Sequence, residues 1–197
     1  MRIIFMINFT NVLGRLLPEN QKKELFQYRY KVFIEQLGWE LKTKGNIEID
    51  EFDNEHTCYV IAKNSEGNIT GCSRLLPTTQ PYLLECIFPM LLEGTSPPKS
   101  KDIWELSRFT SMNVNGLKDN NNGQMTGELT QCLLWKSFNV AKQHGAKGII
   151  SVSPLGIKRL LRSMGIKGQR LGKPMRINGY MLFACYVDFR DIENFLI

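Results

Sequence analysis

The chain has 197 residues, of which 43% are hydrophobic, and its 25 lysines and arginines against 19 aspartates and glutamates give a net charge of +6. This length suits one sizeable core and is short for two, so we predict a single domain spanning residues 1–197. No apolar run approaches the ~20 residues needed to cross a bilayer, which argues against a membrane protein.

The cysteines and histidines exclude several kinds of site. Five cysteines are scattered without a C-x-x-C pair, and the apolar run at residues 3–7 lacks the flanking pattern of a signal peptide. We therefore expect a cytoplasmic protein with reduced thiols. The two histidines, His56 and His144, poorly supply a zinc site or a His-dependent triad, so we expect no metal.

The hydrophobic pattern alternates between strand and helix along the chain. Strands are predicted at residues 2–9, 57–62, 69–76, 103–109, 148–152 and 180–189, and helices at 18–37, 83–92, 125–144 and 154–164. A turn signal at residues 65–68 joins the second and third strands into a hairpin. This order predicts an α/β protein, with a single-domain mixed β-sheet flanked by helices on both faces.

One strand carries charge where a core strand should be apolar. Residues 103–109 read Ile-Trp-Glu-Leu-Ser-Arg-Phe, so Glu105 and Arg108 would each cost several kcal/mol if buried unpaired. Taken alone, the strand favours a structural ion pair over a catalytic role. On a regular pleat Glu105 and Ser107 face one side and Arg108 the other, so either a bulge turns Arg108 around or Arg108 acts from the opposite face as a structural partner.

Further polar residues fall at positions that should point inward. Arg29 lies one helical turn before Phe33, on the inward side of the first helix. The acidic run at residues 48–53 is typical of a solvated loop or of an N-cap for the element that follows, with a binding loop for a cationic ligand as the alternative. The inward set contains three arginines and three carboxylates, which suits a ligand bearing both an ammonium and a carboxylate: Arg29, Arg74, Arg108, Asp50, Asp53 and Glu105.

The C-terminal half carries charges of one sign only over a long stretch. Residues 129–187 contain ten basic residues and no acidic one. Such a stretch predicts an acidic partner, and a merely solvated basic face is an equally good interpretation. P-loop, G-x-G-x-x-G, G-x-S-x-G and H-E-x-x-H signatures are all missing from the sequence.

Five ordered motifs resemble the acyl-homoserine lactone synthases, the autoinducer synthases of bacterial quorum sensing. They are residues 28–33 with Gly38-Trp39, 49–53, 71–82, Phe88-Pro89 and 104–109. The resemblance implies a fold similar to the N-acetyltransferases (GNAT-like) and an acyltransferase reaction. The amine of S-adenosylmethionine attacks an acyl thioester, usually carried on acyl carrier protein, and the methionine carboxylate then closes the lactone and expels 5′-methylthioadenosine.

The resemblance also implies roles for individual residues, and a sheet that splays near Arg108, so we expect a bulge that turns Arg108 towards the site. Catalytic roles fall to Glu105, Arg108, Arg29, Asp50, Asp53 and Arg74. Because the attacking amine must lose a proton, we assign Glu105 as the general base. We expect Asp50 and Asp53 to pair with Arg29 or Arg74. S-adenosylmethionine would be bound by Phe33, Trp39, Ser107, Arg108 and Phe109, although Phe33 and Trp39 could equally be plain aromatic core. The acyl chain would lie against Phe88, Ser151 and Ser153, where serine replaces the threonine of 3-oxo producers and leaves that preference open. Acidic acyl carrier protein would dock on Lys158, Arg159, Arg162, Lys167 and Arg170, with Lys173 beside them.

Two other functions compete with this one. An acetyltransferase using acetyl-coenzyme A wants a [QR]-x-x-G-x-[GA] pyrophosphate loop, which residues 120–127 do not supply. A basic nucleic-acid-binding or partner-binding module fits the charge, but the sequence has no recognisable nucleic-acid motif. We therefore expect no nucleic acid, no membrane and no cofactor, with both small molecules acting as substrates. Acyl length, carrier protein against coenzyme A as donor, and oligomeric state stay open at this point.

Overall fold

The computed structural model describes residues 7–41, 43–114 and 127–192, and within them it contains eight strands and four α-helices. In chain order these are β1 (Asn8–Leu13), α1 (Glu19–Arg29), β2 (Cys58–Lys63), β3 (Ile69–Pro77), α2 (Leu83–Cys86), β4 (Ile103–Thr110), α3 (Gly127–Gln143), β5 (Gly148–Pro154), α4 (Gly156–Ser163), β6 (Gly168–Arg170), β7 (Met175–Ile177) and β8 (Tyr180–Asp188). A π-helical segment, Tyr30–Gln36, continues α1, and 3-10 turns lie at Gly14–Leu16, Pro89–Leu92 and Phe189–Asp191.

The strands form one mixed sheet. Hydrogen bonding orders them β1-β2-β3-β4-β5-β8-β6, and β7 pairs with β8 as well. β4 runs parallel to β5, whereas β1–β2 and β5–β8 are antiparallel. The predicted α/β class with a mixed sheet is therefore confirmed.

The residues divide into two compact units. The first unit lies within residues 1–74 and 108–136, and the second within residues 75–107 and 137–197. The first is built on an apolar cluster of helix and strand side chains: Leu17, Leu25, Phe26, Tyr28, Val32, Phe33, Tyr59, Ile61, Ile69 and Cys72. The second buries Leu84, Leu91, Trp104, Phe138, Ile149, Ile150 and Phe183. That residues 1–197 make a single domain stays a prediction.

The first helix changes its geometry halfway along. Its predicted extent is confirmed, and Gly38 ends it with a φ of 65°. From Tyr30 onwards the turns widen, so that Leu37 N–H donates to the Val32 carbonyl five residues back, at 3.0 Å. A wider turn lets adjacent residues share the inward side, and Val32 and Phe33 are 0% and 1% exposed.

Some predicted boundaries need correction. The predicted first strand, 2–9, lies largely outside the described residues, and the strand that the structure describes begins at Asn8 and continues to Leu13. Two short strands, β6 and β7, were not predicted, because three-residue segments with no apolar side chain in one and two in the other are too short to show a hydrophobic period. Within the described ranges no helix is long and apolar enough to cross a membrane.

Candidate active site

A cluster of paired charges lies in the first unit. Three arginines contribute to it from α1, β3 and β4, and three carboxylates from the loop between the π-helical segment and β2: Arg29, Arg74, Arg108, Glu48, Asp50 and Asp53. The formal charges cancel. Burial of this many ions is tolerable only because each one has opposite charges within hydrogen-bond distance.

Glu48 links two of the arginines. Its carboxylate accepts from Arg29 Nε at 2.6 Å and from Arg108 Nη2 at 2.9 Å, and its side chain is 1% exposed. The Glu48 N–H donates to the Phe26 carbonyl at 3.1 Å, which ties the acidic loop to α1. Sequence reasoning placed Glu48 only in an acidic run that was either a solvated loop or a binding loop for a cationic ligand, and assigned it no role of its own, so this residue was missed.

Asp53 holds the other side of the cluster. Arg29 donates to it from Nη1 to Oδ1, at 2.7 Å, and from Nη2 to Oδ2, at 3.0 Å. Arg74 Nη1 lies 3.1 Å from Asp53 Oδ2. The Tyr59 hydroxyl donates to Asp53 Oδ1 at 2.9 Å, and the Asp50 N–H donates to Oδ2 at 2.9 Å. Asp53 is thus saturated with donors, as expected for a buried carboxylate.

Asp50 is the outermost member of the cluster. It accepts from Arg74 Nη1 and from Arg108 Nη2, the latter at 2.8 Å. Its side chain is 17% exposed, against 1% or less for Glu48 and Asp53. The expected pairing of Asp50 and Asp53 with Arg29 or Arg74 is found, and Asp50 is the carboxylate that a ligand can reach most easily.

The electrostatics hold these acids ionised. Burial alone would raise the pKa of the Asp53 carboxyl, but the charges of Arg29 and Arg74 outweigh it and keep that pKa well below its usual range. Burial likewise works against ionised Glu48, yet Arg29 and Arg108 lower the pKa of its carboxyl. Glu48 and Asp53 therefore stay ionised through the physiological pH range.

Arg108 departs from the regular strand conformation. Its φ is 48°, in the left-handed region that a side chain other than glycine rarely adopts. This local reversal directs its guanidinium to Glu48 and Asp50, using Nε and Nη2. Among the residues that the structure describes, we find no hydrogen-bond partner for its Nη1. A strained backbone that aims a buried cation is typical of functional sites.

Two aromatic rings cover this guanidinium. Phe33 and Trp39 stack with their centroids 4.7 Å apart and their planes 29° from parallel. The Arg108 guanidinium carbon lies 5.7 Å from the Phe33 centroid and 5.8 Å from that of Trp39. The arrangement offers a π surface beside a cation donor, and Trp39 is only half-buried, so the surface is accessible.

Glu105 lies in the second unit and makes a different kind of contact. It is 0% exposed, and its two oxygens accept from the backbone N–H groups of Leu83 and Leu84 at 2.9 and 2.8 Å. The carboxylate thus caps the beginning of α2. Its neighbours on β4, Ser107 and Phe109, are half-buried.

The remaining predicted residues lie in the second unit. Phe88 is half-buried between α2 and the turn Pro89–Leu92, and the hydroxyls of Ser151 and Ser153 on β5 lie 2.9 Å apart. All the residues predicted to dock a carrier protein are exposed; three of them are on α4 and Arg170 is on β6. In the described part of the chain no group of histidine, cysteine and carboxylate side chains is arranged to hold a metal ion.

The chain is similar to proteins of one family. The sequence profile described as autoinducer synthase matches residues 14–195. An acyl-homoserine-lactone synthase of Acinetobacter nosocomialis is 48% identical over 82% of this chain and 88% of that protein. An acyl-homoserine-lactone synthase of Ralstonia solanacearum is 37% identical over 93% of this chain and 89% of that protein.

Solved structures of similar proteins have the same fold. TofI, determined in a ternary complex with an inhibitor and MTA, is 36% identical and superimposes with a TM-score of 0.80 over 92% of this chain and 91% of its own. A putative N-acetyltransferase from Lactobacillus plantarum, 12% identical with a TM-score of 0.61 over 93% of this chain and 98% of its own, shares the fold alone. The expected likeness to N-acetyltransferase folds is confirmed.

Proposed function

Because this chain belongs to the autoinducer synthase family, and is by that membership an acyl-homoserine-lactone synthase, we propose that the charge cluster of its first unit binds S-adenosylmethionine. The observation that carries the proposal is the free Nη1 edge of Arg108 beside the Phe33–Trp39 stack. An arginine edge suits the substrate carboxylate, and an aromatic face suits a sulfonium or an adenine ring.

The cluster explains why such a ligand would be held in one orientation. Glu48 and Asp50 hold the Arg108 guanidinium in one orientation, so its Nη1 points in a fixed direction. A substrate carboxylate bound to Nη1 would therefore be held in one position. Asp50, the most exposed carboxylate, is the partner that we assign to the substrate ammonium. The amino-acid end of the substrate brings one charge of each sign to a cluster whose own charges cancel, and the sulfonium adds a second positive charge that we assign to the Phe33–Trp39 stack.

The reaction then needs a base and a leaving group. The amine must lose a proton before it attacks the acyl thioester carbon, and we assign that proton to Glu105. Both Glu105 oxygens accept a backbone hydrogen bond, and we propose that the proton reaches this carboxylate through one water. Attack expels the thiol, and the methionine carboxylate then displaces the thioether from its own γ-carbon and closes the lactone. Ser107 and Phe109 complete the set that we assign to S-adenosylmethionine.

We assign the acyl chain to Phe88, Ser151 and Ser153. The two serine hydroxyls form a hydrogen-bonded pair that can both donate and accept, so it can serve a polar group near the thioester end of the chain.

Acyl carrier protein is the acyl donor that we propose. The lysines and arginines of α4 and β6 are exposed, and the sequence stretch that contains them has no acidic residue. Such a basic stretch suits an acidic protein partner. The structure of MesI, 30% identical with a TM-score of 0.75 over 92% of this chain and 89% of its own, is described as that of a CoA-dependent synthase. Coenzyme A is therefore the alternative carrier. We further propose a cytoplasmic enzyme without a cofactor, acting as one domain.

The test is turnover with defined substrates. Incubation with S-adenosylmethionine and matched acyl thioesters of carrier protein and of coenzyme A, followed by mass analysis, should yield acyl-homoserine lactone and 5′-methylthioadenosine in equal amounts. Carrier protein should give the higher kcat/KM, and charge reversal at Arg159 and Arg162 should lower it for that donor alone. Absence of lactone with every donor would overturn the assignment.

A further inference from the structure

The segment of the second unit that carries Phe88 packs against two strands of the sheet. This segment, Leu83–Leu92, consists of α2 and the 3-10 turn Pro89–Leu92 and lies against β5 and β8. Leu84 and Leu91 are both 0% exposed, so the segment is anchored by its apolar side chains as well as by its backbone. We call it the Phe88 segment.

Glu105 fixes the beginning of the Phe88 segment. Its two oxygens hold the N–H groups of Leu83 and Leu84, and the Phe88 N–H donates to the Leu83 carbonyl at 3.1 Å. The backbone of Phe88 is thereby connected to the capped end of α2 through one hydrogen bond.

The end of the Phe88 segment meets a glycine from a distant part of the chain. β6 and β7 pair with the same strand, at Cys185–Val187 and Tyr180–Leu182. The Leu171 N–H still donates to the Ala184 carbonyl at 3.0 Å, and residues 172–174 interrupt the pairing between the two strands. Gly172, in this interruption, touches the Leu91 backbone: a Cβ at residue 172 would overlap the Leu91 carbonyl oxygen and lie 3.1 Å from its carbon. Glu93 Cγ would be 3.2 Å away.

This contact leaves no room for adjustment by side-chain rotation. Both partners at the overlap are backbone, so any side chain at residue 172 forces one of the two segments to move. The Leu91 N–H donates to the Phe88 carbonyl at 3.0 Å, so a displacement of Leu91 is passed to Phe88 directly.

We propose that Gly172 is a specificity-determining residue for the acyl thioester. By lacking a side chain it lets the turn Pro89–Leu92 close onto the β6–β7 interruption, and so sets where Phe88 bounds the acyl chain. The inference rests on the proposed function, which assigns Phe88 to that chain. Gly172 acts through Phe88, so it is a positioning residue and takes no part in the chemistry.

The experiment is a competition between substrates. Wild type and Gly172→Ala are supplied with S-adenosylmethionine and an equimolar mixture of short-, medium- and long-chain acyl thioesters, and the ratio of lactone products is measured by mass. Gly127→Ala is the matched control, because a Cβ there meets nothing within 4 Å. We expect the product ratio to change roughly tenfold in Gly172→Ala, the scale of one methylene in an apolar pocket, and to be unchanged in Gly127→Ala.

The KM for S-adenosylmethionine separates positioning from general damage. It should stay at the wild-type value in Gly172→Ala. Should that variant not fold, Tyr82→Phe takes its place, since it removes the bond from the Tyr82 hydroxyl to the Pro98 carbonyl, at 2.7 Å, immediately before the same segment. A folded Gly172→Ala, or Tyr82→Phe in its absence, with the wild-type product ratio overturns this inference alone; a wild type that makes no lactone overturns the proposed function and the inference with it.

Discussion

Glu48 Oε2 lies 2.6 Å from Arg29 Nε, and both side chains are 1% exposed. The same carboxylate binds Arg108 on its other side, so one buried acid fixes two arginines from α1 and β4. Removing its charge would leave both guanidinium groups partly uncompensated in the core of the first unit.

Glu48→Gln should therefore destabilise the protein severely. Loss of one partner from a buried ion network costs about 3–5 kcal/mol, because the charges left behind remain desolvated. Urea unfolding monitored by circular dichroism measures this difference in the free energy of unfolding. The matched control is Glu35→Gln, at an exposed position of the π-helical segment, which should change it by less than about 0.5 kcal/mol. Equal effects for the two variants would contradict the role given to Glu48.

Acid should weaken the protein through Asp53. The folded-state pKa of this carboxyl is depressed by Arg29 and Arg74 in spite of burial, while in the unfolded chain it is about 4. A depressed pKa gives stability that is fully present above the unfolded pKa and is lost as pH falls from about 4 towards the folded value. Plots of unfolding free energy against pH should be shallower below about pH 4 for Asp53→Asn than for wild type. Parallel plots would show that Asp53 is not the carboxyl responsible.

The thiols should divide into two classes. Cys86 and Cys132 are exposed, whereas burial raises the pKa of Cys72 to about 12 and that of Cys58 and Cys185 to about 11. At pH 8 the native protein should take up two equivalents of a thiol reagent quickly, and all five in denaturant, because only the thiolate reacts. Mass analysis of intact protein counts the labels. Rapid labelling of Cys72 would contradict its place in the first core.

Glu105→Gln tests base and cap separately. A glutamine keeps one acceptor but turns an NH₂ donor towards the N–H of Leu83 or Leu84, so the melting temperature should fall. If Glu105 is the base, the variant should also regain activity as pH rises through about 8, where the substrate amine loses its proton unaided. The measurement is kcat/KM against pH for both proteins. A variant whose loss of activity is the same at every pH has lost the cap only.

The inward direction of Arg29 could be predicted from its spacing to Phe33, whereas its pairing with Asp53 was expected only once the family resemblance was seen. The strand pattern of Arg108 allowed either a bulge or a structural partner on the opposite face, and only the family resemblance favoured the bulge. Glu48 could not be distinguished from Glu51, because both belong to one acidic run and only the fold makes one 1% exposed and the other solvated. The contact of Gly172 with Leu91 joins residues far apart in sequence, and no sequence motif near either residue predicts it.

The most direct measurement is equilibrium binding of S-adenosylmethionine to wild type, Arg108→Lys and Trp39→Ala by titration calorimetry, with Lys147→Ala, at an exposed site, as control. Lysine cannot serve Glu48 and Asp50 and still offer a planar edge to a carboxylate, and alanine removes the aromatic cover. Binding to the two site variants should weaken about tenfold or more, corresponding to the ~1.4 kcal/mol or more of one lost charged or stacking contact, while the control binds as wild type does. Wild-type affinity in both Arg108→Lys and Trp39→Ala would show that the substrate is bound elsewhere.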